Sequence, residues 1–191
     1  MEKYMKKLRR VLRNIIFIVI ALLLVNRLIL KPNAERHSID QMYSYLMEAG
    51  NRDGIFTVAV ALNGGKTINT CVYFVAEALR QNGIPISEGV CNTSQLMSAL
   101  KERGWKENTN YKDLKSGDIV FTTDAAGNKD GTPTHAYIFM QWVEKGNYGY
   151  AYICDNQAND YGGNLYHIRN IKNTDNVNGA VKEAFSFFMR P

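Results

Sequence analysis

"TINTCVYFVAEALRQNGIPI", Thr67 to Ile86, is the stretch on which the reading of this chain turns. Cys71, Phe74, Val75, Ala78 and Leu79 recur at helical spacing and predict a helix with one apolar stripe. Gly83 supplies the stop. Cys71 itself has two readings. A cysteine that opens an apolar stripe is commonly a packed core residue. If Asn69 or Thr70 caps the helix, Cys71 instead sits in the first turn, where backbone N–H groups lack intrahelical partners and the dipole is positive. Both effects favour a thiolate, and the same N–H groups suit an oxyanion. The rest of the chain has to decide between packing and nucleophile.

Helical patterns flank this stretch. "RHSIDQMYSYLMEAGN" places Ile39, Met42, Tyr43, Leu46 and Met47 on one stripe, with Ser38 as cap and Gly50 as stop. "DGIFTVAVALNGG" predicts a second helix ended by Gly64 and Gly65, although Val58 and Val60 leave a strand reading open. "SQLMSALKERG" predicts a short fourth, capped by Thr93 or Ser94. The period then changes. "GDIVFTT", "HAYIFMQWV", "YGYAYIC", "NLYHIRNI" and "EAFSFFM" predict strands, and Gly/Asn-rich turns between several of them favour antiparallel hairpins. Helices first and sheet second is the order of an α+β domain.

The 191 residues carry a formal charge of +5, unevenly placed. Residues 1–34 hold eight Lys/Arg against one acid, Glu2, so the remainder is mildly acidic. That argues against a nucleic-acid-binding domain, whose basic patch belongs to the folded part. Behind the first basic cluster comes "IIFIVIALLLV", Ile15 to Val25, then Asn26, Arg27 and "LIL". Leu12 to Leu30 comes close to the ~20 residues a membrane span needs, with Arg27 placed to snorkel. The expectation is one N-terminal transmembrane helix, the basic tip in the cytosol and residues 35–191 outside. A cleaved signal is the alternative, though "LKPNAERHS" makes a poor cleavage site. The expected organisation is therefore 1–34 tip and anchor, 35–52 linker helix and 53–191 the main domain. Three cysteines, Cys71, Cys91 and Cys154, are too few for a disulfide framework; a Cys91–Cys154 pair stays open, and one thiol is left over in either case.

A nucleophilic cysteine needs a base. His37 lies in the linker helix and His167 in a polar late strand, "LYHIRN". His135 opens "HAYIFMQWV", where a loop becomes a strand apolar on both faces, and that rim position suits a general base. The base in turn needs an orienting group. If the next two strands form a hairpin with a loop of three or five residues, Asp155 falls on the His135 face. Around a four-residue loop pairing Val143 with Tyr148, Asn156 lies opposite instead.

Together, "TCVYFVAEALRQNGI", "LKSGDIVFTT", "HAYIFM", "YICDNQ" and the closing "FSFFMRP" resemble the papain-like bacterial cell-wall hydrolases, the CHAP and NlpC-type cysteine peptidases, over residues 53–191. The resemblance implies a papain-like fold, Cys71 as nucleophile, His135 as base and Asp155 as the orienting residue. It also implies an enzyme that cuts peptidoglycan, as endopeptidase or muramoyl–alanine amidase, and the expected N-terminal anchor would hold it on the outer face of the membrane. "NTCVYF" is nearer the CHAP style than the Asp-Cys-Ser-Gly of NlpC-type enzymes, and Asp155 with Gln157 stands where CHAP domains often carry Glu and Asn. No cofactor is implied, and the histidines and cysteines show no zinc spacing. The alternatives are a silent wall-binding or scaffold domain in a membrane-anchored assembly, and a papain-like peptidase or transferase with another substrate.

Overall fold

The computed structural model describes residues 1–26 and 31–191. Helices α1 (Glu2–Val25), α2 (Lys31–Met47), α3 (Ala49–Leu62), α4 (Cys71–Gln81) and α5 (Thr93–Glu102) precede the strands. The strands are β1 (Lys106–Asn108), β2 (Ile119–Thr122), β3 (Ala136–Glu144), β4 (Asn147–Cys154), β5 (Tyr166–Asn170), β6 (Asp175–Val177), β7 (Ala180–Lys182) and β8 (Phe185–Arg190). Six of them form one antiparallel sheet in the order β1-β8-β2-β3-β4-β5, and β6 and β7 make a separate hairpin. The fold is α+β, with helices preceding an antiparallel sheet.

The expected transmembrane helix needs correcting, and with it the single-pass placement in a membrane. No helix among the described residues is long and apolar enough to cross one. The uninterrupted apolar part of α1 is Ile15–Val25, about 16 Å at the helical rise, against a hydrocarbon core of about 30 Å. Arg9, Arg10 and Arg13 come directly before it. Residues 27–30, with Arg27 and the "LIL" that completed the expected span, lie outside the described residues.

Helix α4 is buried on nearly every side, through Val72, Phe74, Val75, Ala76, Glu77, Ala78 and Leu79. It ends in a Schellman turn: Gly83 takes φ +78°, and the Ile84 N–H reaches back to the Leu79 carbonyl at 2.9 Å. Helix α2 runs straight through Ser38, so that residue is no cap, and Gly50 lies inside α3. The break between them falls at Glu48, whose backbone is extended. The free carbonyls of α2's last turn are taken by α3 side chains. Asn51 donates to the Tyr45 carbonyl at 2.9 Å, and Arg52 donates to those of Leu46 and Met47. Residues 35–52 cross this junction, and Ile39, Met42 and Leu46 are buried in the same core as α4.

The main core lies between the helices and one face of the sheet. A second core of Leu114, Val120, Tyr137, Phe139, Ala151, Ile153, Phe185 and Phe188 covers the other face. That is why β2 reads "IVFT" and β3 opens "AYIFM" without alternation. The "SGD" before β2 locks α2, the sheet and the chain end together. Gly117 (φ +89°) lies against α2 so closely that a Cβ would stand 2.5 Å from Ile39 Cγ2 and 2.9 Å from its carbonyl oxygen. Asp118 is buried and accepts from the Lys115 N–H at 2.7 Å and from Arg190 of β8 at 2.8 Å.

Gly117→Ala is therefore expected to lose about 2 kcal/mol or more in chemical denaturation, from overpacking added to left-handed strain. Gly179→Ala, also at positive φ but with nothing within 4 Å, should lose only the conformational part. Equal losses at the two positions would show that α2 is not held against "SGD".

Candidate active site

Cys71 is the first residue of α4 and is half-buried. The preceding Thr70 does not cap the helix with its side chain. Its hydroxyl donates to the Lys66 carbonyl at 2.9 Å and accepts from Asn63 Nδ2 at 3.1 Å, fixing the loop that delivers Cys71. Asn69 takes a left-handed φ of +57° in the same turn. The Phe74 N–H is the first to find an intrahelical carbonyl, that of Thr70.

His135 stands one residue before β3, and Thr122 of β2 holds its backbone at both ends. The His135 N–H donates to Thr122 Oγ1, and the Thr122 N–H donates to the His135 carbonyl, each at 3.1 Å. The ring is buried. Its Nε2 donates to Asp155 Oδ2 at 2.7 Å, which leaves Nδ1 for the thiol side. Asp155 follows β4 and is 0% exposed; its Oδ1 accepts the Gln157 N–H at 2.8 Å.

The β3–β4 pairing explains why Asp155, not Asn156, meets the imidazole. The turn is Lys145-Gly146, two residues, with Glu144 opposite Asn147. Carried straight along the hairpin, that register would put Asn156 across from His135 and Asp155 on the other face. Two irregularities, between Trp142 and Glu144 and between Phe139 and Gln141, change it, so that Ile138 pairs with Cys154. Asp155 then lies diagonally from His135 on one face. Asn156 points elsewhere, its Nδ2 donating to the Thr67 carbonyl at 3.3 Å.

Burial works against every charge here, and the neighbours outweigh it. Burial pushes the Cys71 thiol up, but the hydrogen bond and charge of His135, with the Ala136 N–H, hold it below the ordinary thiol value. Burial pulls His135 down, yet Asp155 and then Cys71 raise it to about 9. Asp155 is raised by burial and brought well below the usual carboxylate range by His135, His167 and Arg169. The other cysteines differ. Cys154 is buried in apolar surroundings that push its thiol up, and Cys91 is exposed; all three are free, so Cys91 and Cys154 do not pair.

His37 is exposed on α2. His167, read from sequence as part of a polar strand, is buried against the site, with Nε2 3.7 Å from Asp155 Oδ1. Arg169 is buried two residues on, donating to Gln157 Oε1 at 3.0 Å with its guanidinium over the Tyr137 ring. The pattern of β5 conceals them, because Ile168 is exposed while the polar residues on either side face inward. Among the described residues, no three His, Cys, Asp or Glu side chains are grouped to hold a metal ion.

A buried imidazole raised to about 9 stays charged through neutrality and loses its proton only as the pH climbs through that value. Because that imidazolium holds the Cys71 thiol below its ordinary value, carbamidomethylation of Cys71, followed by peptide mapping to separate it from Cys91, should rise less steeply between pH 6.5 and 8 in the wild type than without His135. In His135→Ala the rate should rise roughly tenfold per pH unit, as for an ordinary thiol. Identical profiles would show that His135 does not act on Cys71.

No curated protein and no solved structure matches the chain. A family model described as bacteriophage peptidoglycan hydrolase matches residues 38–178, which take in most of the chain and all of Cys71, His135, Asp155 and His167. The chain belongs to that family of peptidoglycan hydrolases.

Proposed function

We propose that the chain cuts an amide bond of peptidoglycan by cysteine nucleophilic catalysis, in the manner of the CHAP and NlpC-type peptidases. Cys71 is the nucleophile, His135 the acid and base, and Asp155 the residue that orients His135. The observation that carries this reading is the buried His135–Asp155 pair at 2.7 Å, together with a thiol at a helix start held below its ordinary pKa by that same imidazole.

The steps follow from the geometry. With Nε2–H held by Asp155, His135 keeps its other nitrogen for the thiol proton. The Cys71 thiolate attacks the amide carbonyl carbon, and the carbonyl π electrons move to oxygen. The α4 N–H groups ahead of Phe74, with no side chain capping them, are the donors for that oxyanion. The imidazolium gives its proton to the leaving amine as the C–N bond breaks, leaving a thioester on Cys71. Water, deprotonated by the now neutral His135, then attacks the thioester carbonyl and releases the acid and the thiol. The susceptible bonds are the amides of the stem peptide or cross-bridge and the muramoyl–alanine amide.

Incubation of the full chain with isolated peptidoglycan should release soluble fragments, and Cys71→Ser should release none. New peptide termini mark an endopeptidase; free muramic acid lactyl groups with N-terminal alanine mark an amidase. Full release by Cys71→Ser would end the mechanism. Asp155→Ala should reduce the rate about a hundredfold or more, the scale of misorienting a general base, and Asn156→Ala less than tenfold. The reverse order would move the orienting role to Asn156.

A further inference from the structure

His167 has no role in the steps above, yet it is buried directly behind the acid. It lies opposite Ile153 in the β4–β5 pairing, two residues before Asp155 and so on the same face. Its Nδ1 is 3.0 Å from the Asn164 carbonyl, which fixes Nδ1 as the protonated nitrogen. In the neutral ring Nε2 then carries a lone pair. That nitrogen stands 3.7 Å from Asp155 Oδ1, too far for a hydrogen bond, and has no partner. Tyr161 stacks on the ring at 3.5 Å between centroids and prevents it from turning away.

Given the roles assigned to Cys71, His135 and Asp155, we propose that His167 is a positioning residue that switches the site with its own protonation. Neutral, its lone pair faces Oδ1 and leaves the carboxylate to His135. Protonated, its Nε2–H binds Oδ1 and draws the carboxylate toward itself, which loosens the bond that orients the still-charged His135 ring toward the Cys71 thiolate. The carboxylate is thus shared between two imidazoles, one on each oxygen.

The charges around His167 set the sign. Asp155, at the end of β4, favours its protonation. Burial is the largest opposing influence, followed by Arg169 on its own strand and His135 at the start of β3; Tyr161 faces it as a neutral phenol. Burial holds its pKa below the ordinary value of about 6.5, so His167 is neutral at pH 7 and gains its proton only at lower pH. Stability contributed by the neutral ring is present above the unfolded-state value and is lost as the pH falls through the depressed one.

The rate of Cys71 carbamidomethylation, read by peptide mapping from pH 4.5 to 8 on the full chain, tests this without any substrate. From pH 7 to pH 5 the wild-type rate should fall at least about threefold further than the rate in His167→Phe and His167→Gln, whose side chains do not titrate. Phe keeps the stack on Tyr161 and Gln keeps a polar end, so a folding failure in one leaves the other. An acid limb unchanged in either folded variant overturns the proposal. In the wild type, the ¹⁵N resonances of His167 should titrate at the midpoint of that limb; a ring that stays neutral across it overturns the proposal equally. If peptidoglycan release fails while the limb shifts as expected, the substrate reading falls and the switch stands.

Discussion

A carboxylate with no access to water has to be matched from within the protein, and Asp155 is such a carboxylate. An unpaired charge at this depth costs several kcal/mol, and removing one partner of a buried pair typically costs about 3–5 kcal/mol. The imidazole of His135 supplies the match at 2.7 Å, the Gln157 N–H holds the other oxygen at 2.8 Å, and Arg169 and His167 lie behind. Much of the sheet serves that arrangement. The two irregularities in the β3–β4 hairpin turn Asp155 onto the His135 face. Thr122 fixes where His135 leaves the loop. The turn at Thr70 delivers Cys71 to the imidazole's free side.

The same cluster separates three thiols with nearly the same intrinsic chemistry. Cys154 immediately precedes Asp155 yet faces the main core, where apolar burial suppresses its ionisation. Cys91 is exposed and hydrogen-bonded to Gln95 and Asn92. Cys71 alone sits at the start of a helix within the influence of a charged imidazole, and there the neighbours overcome burial.

Much of this arrangement is legible in the chain, because it rests on local pattern. The helix starting at Cys71 announces itself by its stripe and by Gly83, and the β2, β3 and β4 segments by apolar runs between turn residues. Asp155 and Asn156 could not be separated from sequence, because side-chain period two makes the choice depend on turn length and on bulges with no residue signature. His167 and Arg169 were hidden by Ile168, which looks inward by hydropathy and faces outward in the fold. They face in because their partners lie inside: the Asn164 carbonyl and Asp155 for His167, Gln157 and the Glu183 carbonyl for Arg169. Ser38 and Gly50 carry cap and stop chemistry but lie inside helices, since the core residues Ile39, Met42 and Leu46 and the α3 side chains set the boundaries instead. At the N-terminus, counting apolar residues through Leu30 suggested a span, while the apolar part of α1 is too short and too closely preceded by arginines to make one.

The ring nitrogens of His135 offer the most direct test of the account. Their ¹⁵N resonances, followed from pH 6 to 10, should show an imidazolium that persists through neutrality and loses its proton near pH 9. In Asp155→Asn the same ring should give up its proton at markedly lower pH. A His135 that is neutral at pH 7 in both proteins would contradict the claim that the buried carboxylate makes this imidazole the partner of Cys71.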